Sequence, residues 1–110
     1  MIVCAGTIHI DPDKIEIFEK LLPAHAARTE AQEFCHLFSL GVANRQTGEV
    51  TVAEIWRDAE GLQEHHEQPF TKEFVKAWGG VQALNVKMYE ISAEKPLPPI
   101  GTIAKFQQRQ

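Results

Sequence analysis

Three side chains that can perform acid-base or aromatic chemistry lie close together between residues 54 and 65. Glu54 supplies a carboxyl group, Trp56 a large aromatic ring and His65 an imidazole. An imidazole titrates near neutral pH, so it can remove a proton from a phenolic hydroxyl. A carboxyl group on a covered strand face must find a hydrogen-bond donor or stay protonated. These residues predict an acid-base site with an aromatic wall.

Further residues are candidates for contacting a substrate. Phe74 belongs to an apolar helical stripe that also contains Trp78. Asn85 and Tyr89 share one face of the last predicted strand, where they could orient a substrate oxygen. The alternative for Asn85 and Tyr89 is ordinary polarity at a sheet edge, and the alternative for Trp56 is a place in the core.

Two adjacent histidines, His65 and His66, lie on the short helix predicted after Asp58. Ala59 and Leu62 define an inward direction on a helical wheel, and His66 matches this direction better than His65. The alternative for both histidines is a surface or packing role. The helical pattern therefore keeps His66 as a candidate for binding a substrate beside His65.

The sequence contains none of the short motifs that bind nucleotides or activate a serine, such as G-x-G-x-x-G, a Walker loop or G-x-S-x-G. His9, His25 and His36 have no metal-type spacing. Cys4 and Cys35 are too far apart to form the tight local pairs of a zinc site. The sequence therefore predicts no metal site and no cofactor.

Length and charge narrow the class of protein. The chain has 110 residues, enough for one domain. Its net charge is −4 and its basic residues are scattered, which argues against nucleic acid as a partner. Residues 1–7 lack the basic segment of a signal peptide, and no stretch approaches the ~20 apolar residues of a membrane span. We therefore expect no membrane partner and a cytoplasmic location.

Along the chain, segments whose apolar residues alternate as in a strand are followed by segments whose apolar residues recur every three to four positions as in a helix. We expect Asp11 and Asp58 to cap helices and Pro69 to open a further helical piece. Pro23 removes a backbone donor, so we expect a kink or break near residues 19–22. The predicted strands cover residues 2–10, 33–43, 49–57 and 81–92.

The order β-α-β-β-α-β is that of the ferredoxin-like split βαβ fold, an α+β architecture with an antiparallel four-stranded sheet. The helices cover one sheet face, yet three strands carry apolar residues on both faces. A second copy packed sheet to sheet would cover the other face, so we expect a homodimer in the form of a dimeric α+β barrel. The first two strands are not neighbours in this fold, which disfavours a Cys4–Cys35 disulfide.

The composition changes near the end of the chain. Residues 1–93 form the expected domain, and residues 94–110 form a Pro-rich C-terminal tail with three basic residues and one acidic residue. We expect the apolar tail residues to dock on the partner subunit or to rim the pocket, and the alternative is a frayed terminus. These residues are Leu97, Ile100, Ile103 and Phe106.

One pattern that runs from the third strand into the helices is specific. It reads Glu54-x-Trp56-x-Asp58-x-x-x-Leu62-x-x-His65-x-x-x-Pro69. Together with the element order over residues 1–93, it resembles the antibiotic biosynthesis monooxygenase family of small dimeric α+β barrels. Arg28-x-Glu30 resembles the end of that family's first helix. Gln32-Glu33 replaces the Gly, often followed by Cys, that many members have there.

The resemblance implies a cofactor-independent, quinol-monooxygenase-like enzyme that oxidises a small aromatic molecule such as a quinol or an anthrone with O2. It selects His65 over His66 as the general base, with Glu54 as the second catalytic group and Trp56 as a pocket wall. Heme-degrading relatives have an axial His where Val75 stands, which disfavours heme degradation. Two alternatives stay open, namely an isomerase of a small carbonyl compound and a non-catalytic small-molecule binding module.

Overall fold

The structure is a computed structural model, and it describes residues 1–101 of the chain. Its elements follow the predicted order, and the second helical region consists of two helices. The elements are strand β1 (Ile2–His9), helix α1 (Ile15–Glu30), strands β2 (Cys35–Asn44) and β3 (Glu49–Trp56), helices α2 (Ala59–Glu67) and α3 (Pro69–Ala77), and strand β4 (Ala83–Glu90). Within residues 1–101, no helix is long and apolar enough to cross a membrane.

Side-chain caps determine where the helical segments begin. Asp11 Oδ1 accepts a hydrogen bond from the backbone N–H of Asp13 at 2.9 Å, at the start of a single 3-10 turn (Pro12–Lys14) that leads into α1. Asp58 Oδ1 accepts from the backbone N–H of Gly61 at 2.7 Å and caps α2. Both aspartates therefore cap helical segments, as the sequence predicts.

Helix α1 passes through Pro23 without interruption, which corrects the expected break near residues 19–22. A proline inside a helix costs about 3 kcal/mol because it removes a hydrogen bond and crowds the preceding turn. Phe18 and His25, on either side of Pro23, are both buried. Burial of large side chains on both halves of α1 offsets a cost of this size.

The four strands form one antiparallel sheet in the order β2-β3-β1-β4. The chain therefore has the predicted α+β fold with a four-stranded antiparallel sheet of ferredoxin-like order. Strand β3 separates β1 from β2, and Cys4 and Cys35 are both free thiols.

Cross-strand pairing shows which side chains share a face of the sheet. Cys4 pairs with Glu54 on β3 and with Met88 on β4, and Phe38 on β2 also pairs with Glu54. Directly paired residues project to the same side of a sheet. These four residues, drawn from all four strands, therefore lie on one face.

Two buried clusters join this face of the sheet to the helices. The first includes Phe18 of α1, Phe74 of α3 and Val50 of β3. The second surrounds Trp56, which is fully buried, and includes Phe34. Members of both clusters line the cavity that forms the candidate site.

The opposite face of the sheet carries apolar residues that the described part of the chain leaves partly exposed. Val3 pairs with Ile55 and with Tyr89, and Leu37 also pairs with Ile55, so the four share this face. Leu37 is 43% exposed and Tyr89 is 50% exposed. This is the face for which the sequence predicts a partner.

Residues 91–101 have no helix or strand, apart from a turn at residues 100–101. Leu97 is 79% exposed and Ile100 is 96% exposed, so neither is buried by its own chain. Ile103 and Phe106 lie outside the described residues. Docking of this tail on a partner subunit stays a prediction.

Candidate functional site

A cavity of about 330 Å³ lies between the sheet and the three helices, and every strand contributes to its wall. The structure brings four of the seven predicted site residues to this cavity, and these are Glu54, His65, His66 and Phe74. Most of the remaining wall is apolar. The cavity lies at the small end of the ~300–1,000 Å³ range of small-molecule sites.

Helix α2 places His65 on the inner wall of the cavity. The two buried residues of α2 are Gly61 and His65, which lie one turn apart on the same face. A Cβ atom at Gly61 would lie 2.9 Å from the Cβ of Phe34, so only glycine allows α2 to approach this closely. The inward direction of α2 therefore runs through Gly61, and the direction derived from Ala59 and Leu62 is wrong.

His65 is 3% exposed, and its Nδ1 atom lies 2.9 Å from the side-chain oxygen Oε1 of Gln32. The same Nδ1 lies 3.4 Å from the hydroxyl oxygen of Thr71. Burial, aided by the nearby imidazoles of His25 and His66, lowers the pKa of His65 from 6.5 to about 4. His65 is therefore a neutral imidazole at neutral pH and can accept a proton.

Glu54 and Trp56 form a hydrogen-bonded pair at the end of β3. The Nε1–H of Trp56 donates to Oε1 of Glu54 at 3.0 Å. The two side chains meet because residues two apart on a strand share a face. Burial raises the pKa of Glu54 above 4.5, and this effect exceeds the opposing effect of the Trp56 hydrogen bond. This environment makes the carboxyl group of Glu54 a weaker acid than an exposed glutamic acid.

Trp56 does not line the cavity, which corrects its predicted role as a pocket wall. The side chain is 0% exposed, and its ring lies 4.8 Å from the ring of His65, measured between centroids. Trp56 therefore contacts both polar groups of the site from behind, as a hydrogen-bond donor to Glu54 and as a packing surface for His65.

Asn85 and Tyr89 do not line the cavity either. Asn85 pairs with Thr7 and Tyr89 pairs with Val3, on the sheet face that the helices do not cover. From β4 the cavity contacts Leu84, Val86 and Met88 on one face and also Lys87, which shares its face with Asn85 and Tyr89. Asn85 and Tyr89 lie outside this lining, so a role for them in binding substrate stays a prediction.

His25 is a third imidazole of the site, which the sequence analysis did not select. It lies on α1, is 6% exposed and stacks on Phe74 with 3.9 Å between ring centroids. Burial, together with the charge of Arg28, lowers the pKa of His25 to about 4. Its place in the helix could have identified it, because it lies seven residues after Phe18 and four before Thr29, and all three are buried.

His66 lies at the edge of the cavity and is exposed, in contrast with His65. Its ring centroid is 5.8 Å from that of His65. His25 lies at the same distance of 5.8 Å from His65 on the other helix. Within residues 1–101, no group of three or more His, Cys, Asp or Glu side chains is arranged to hold a metal ion.

Comparison with known proteins identifies the family. The sequence profile of the antibiotic biosynthesis monooxygenases matches residues 1–77, which is more than half of the chain. The chain therefore belongs to the antibiotic biosynthesis monooxygenase family. The ferredoxin-like fold and the cavity at the junction of β3 and α2 agree with the resemblance carried by the Glu54–Pro69 pattern.

Individual relatives are distant. The sll1783 protein of Synechocystis sp. strain PCC 6803, which is uncharacterized, is 28% identical over 98 residues that cover 87% of this chain and 67% of that protein. A solved structure from Caulobacter crescentus, proposed to be an antibiotic biosynthesis monooxygenase, has a TM-score of 0.71 with 21% identity and covers 84% of this chain and 90% of that chain. A solved structure from Deinococcus radiodurans, described in the same way, has a TM-score of 0.69 with 20% identity. The match covers 89% of this chain and 99% of that chain.

Proposed function

We propose that this protein is a cofactor-independent monooxygenase that uses O2 to oxidise a small aromatic molecule bearing a phenolic hydroxyl, such as a quinol or an anthrone. The observation that carries the proposal is a neutral, buried imidazole, His65, on the wall of a largely apolar cavity of about 330 Å³. A cavity of about 150 Å³ already accommodates benzene. The volume therefore exceeds what a single aromatic ring needs and leaves room for a fused-ring substrate.

His65 acts as the general base in this proposal. Its neutral imidazole removes the phenolic proton of the substrate, and the resulting anion is electron-rich enough to transfer an electron to O2. Phe74, which lines the same cavity, provides an aromatic surface for the substrate ring.

Glu54 is the complementary acid. Burial raises its pKa, so a larger fraction of the carboxyl group is protonated than in an exposed glutamic acid, and this protonated form can donate a hydrogen bond to a substrate oxygen. Trp56 contacts both groups, through its hydrogen bond to Glu54 at 3.0 Å and its ring contact with His65 at 4.8 Å. One rigid indole ring therefore contacts both the proposed base, His65, and the proposed acid, Glu54.

We also propose that the protein is a homodimer joined through the uncovered sheet face. Leu37, Ile55 and Tyr89 lie on this face, opposite the cavity. Apolar surface of this kind is stabilised by a partner. Pairing of the two sheets would complete the dimeric α+β barrel without blocking the cavity.

The direct test is oxygen consumption by the purified protein with a panel of quinols and anthrones, in buffer that contains neither metal nor flavin. We expect O2 uptake that depends on both protein and substrate, with an oxygenated product detected by mass spectrometry. Binding of the aromatic molecule without O2 uptake would instead identify a binding module. Rearrangement of a small carbonyl compound without O2 uptake would identify an isomerase.

A further inference from the structure

We propose that Gln32 is a positioning residue for His65: its side-chain oxygen keeps the imidazole hydrogen on Nδ1, so that the lone pair lies on Nε2 and faces the substrate's proton. The role of Nε2 as a base rests on the proposed function. The choice of tautomer rests on the contacts of His65 alone.

The geometry distinguishes the two neighbours of Nδ1. Gln32 Oε1 lies 2.9 Å from Nδ1, whereas the Thr71 hydroxyl lies 3.4 Å away. A hydroxyl group can donate or accept, so Thr71 satisfies either tautomer and cannot select one. An amide oxygen only accepts, so the shorter contact requires a hydrogen on Nδ1.

The other ring nitrogen of His65 is available. Nε2 has no hydrogen-bond partner within residues 1–101, since the polar contacts of the imidazole all involve Nδ1. His65 lines the cavity, and the Gln32 side-chain oxygen occupies Nδ1 at 2.9 Å. Nε2 is therefore the nitrogen that a molecule in the cavity can reach.

The backbone of Gln32 is fixed on both sides. Its N–H donates to the carbonyl of Thr29 at 3.1 Å, and its carbonyl accepts from the N–H of Cys35 at 2.9 Å. Thr29 lies in the last turn of α1 and Cys35 begins β2. The turn between α1 and β2 therefore fixes the position from which the Gln32 side chain reaches α2. Because this position is set in the folded protein, little conformational entropy is lost when the side chain orients His65 for the reaction.

This placement gives the Gln32-Glu33 pair a role. Many family members have glycine at this point of the helix exit, and a glycine has no side chain to offer His65. Here Gln32 replaces it, and its oxygen reaches His65 from a position 33 residues earlier in the chain. The base of this protein is therefore oriented from the loop after α1, whereas Glu54 is held from β3.

The test compares Gln32→Leu, which removes the acceptor, with Gln32→Glu, which keeps an acceptor and adds a negative charge. Glu33→Leu is the matched control, because Glu33 is the exposed neighbour on the same turn. The first readout is the 15N chemical shifts of the His65 ring, which distinguish a protonated from an unprotonated nitrogen. We expect a protonated Nδ1 and an unprotonated Nε2 in the wild type and in Gln32→Glu, and a mixture of tautomers in Gln32→Leu.

The second readout is kinetic. One hydrogen bond of about 1–1.5 kcal/mol corresponds to roughly a 10-fold effect, so Gln32→Leu should lower kcat about 10-fold with KM nearly unchanged. Gln32→Glu should retain most of the activity and move the acidic limb of the pH profile to higher pH, because a carboxylate favours the imidazolium. Glu33→Leu should change neither property.

Two results would overturn the proposal. One is a wild-type His65 with its hydrogen on Nε2, which would mean that the Gln32 amide group donates to Nδ1. The other is an unchanged His65 tautomer in Gln32→Leu, which would leave Gln32 a purely structural role even if the melting temperature falls. Both readings come from the 15N spectra, so they hold even if no quinol is oxidised.

Discussion

At the scale of single residues, the cavity wall combines a buried imidazole, His65, with a partly buried carboxyl group, Glu54. Burial disfavours the charged form of every group, so it lowers the pKa of His65 and raises that of Glu54. His65, with a pKa of about 4, is therefore neutral at neutral pH, and Glu54 is a weaker acid than an exposed glutamic acid. Uncharged forms are compatible with a largely apolar cavity wall, whereas an imidazolium or a carboxylate attracts water.

The first prediction concerns His65 as the base. Because general-base catalysis contributes about 10²–10⁴-fold, we expect His65→Ala to lower kcat by about that factor. His66→Ala is the matched control, since His66 is an adjacent imidazole at the edge of the same cavity and should matter much less. Steady-state O2 uptake with a quinol measures both variants. Full activity in a His65→Ala, His66→Ala double variant would contradict the assignment of the base.

The second prediction concerns stability and pH. His25 and His65 have pKa values of about 4 in the folded protein, against 6.5 in the unfolded chain. Between these values the unfolded chain binds more protons, so the free energy of unfolding decreases as the pH falls from about 7 towards 4. We expect a loss on the order of 1–2 kcal/mol per imidazole at pH 5. The raised pKa of Glu54 acts in the opposite direction, since its contribution is lost as pH rises.

Chemical denaturation at pH 7 and pH 5 measures this dependence. His25→Phe keeps a ring against Phe74 and removes the titrating group, so its stability should fall less steeply between the two pH values. His36→Gln removes an exposed imidazole from β2 and serves as the control. Equal pH dependence in the wild type and His25→Phe would show that His25 does not titrate abnormally in the folded state.

At the scale of secondary-structure elements, the sequence predicts the order, the caps and the approximate limits of every strand and helix. These features can be predicted because their signals are local. Helix caps such as Asp58, helix starts such as Pro69 and the alternation within a strand each depend on only a few neighbouring residues. The faces were harder to predict. The inward side of α2 depends on how closely Gly61 approaches Phe34, which belongs to a distant segment. Tertiary contact of this kind leaves no periodic signal in the sequence.

In the candidate site, too, some residues can be identified from the sequence and others depend on tertiary contacts. The resemblance identifies His65, which the structure places on the cavity wall beside the acid Glu54. It could not identify Gln32, because the contact between Gln32 and His65 joins residues far apart in sequence across a loop. For a related reason the sequence places Asn85 and Tyr89 on one face of β4 without showing that the helices cover the other face, since alternation gives two faces but does not tell which one is covered.

The third prediction concerns Gly61. Alanine usually stabilises a helix by about 1 kcal/mol relative to glycine. At Gly61, however, a Cβ would lie 2.9 Å from Phe34, whose ring is buried, so we expect Gly61→Ala to destabilise the protein by about 1–3 kcal/mol through overpacking. Gly41→Ala is the control, because a Cβ there meets only the Thr51 hydroxyl at 3.5 Å. Thermal denaturation compares the two variants. A Gly61→Ala protein as stable as the wild type would show that Phe34 moves aside at little cost.

At the scale of the whole molecule, the two faces of the sheet differ in what covers them. One face and the helices enclose the cavity, and the other carries Leu37, Ile55 and Tyr89 with partial exposure. A partner on the opposite face would stabilise the sheet behind Glu54 and Cys4, which both line the cavity on the helix-covered face. Such a dimer would therefore be structural, and each subunit would keep a complete site.

The last prediction tests whether the sheet face opposite the cavity forms the dimer interface. A charge at the centre of an apolar interface is costly because it loses its water without gaining a partner, so we expect Leu37→Asp to convert a dimer into a monomer at micromolar concentration. Val81→Asp is the matched control, since Val81 is 45% exposed, close to the 43% of Leu37, but lies by the cavity. Sedimentation velocity measures both. A wild-type protein that sediments as a single 12.4 kDa species would contradict the dimer, and a Leu37→Asp variant that stays dimeric would place the interface elsewhere. If the dimer is structural as argued, monomeric Leu37→Asp should lose stability while its remaining folded fraction still binds the aromatic substrate.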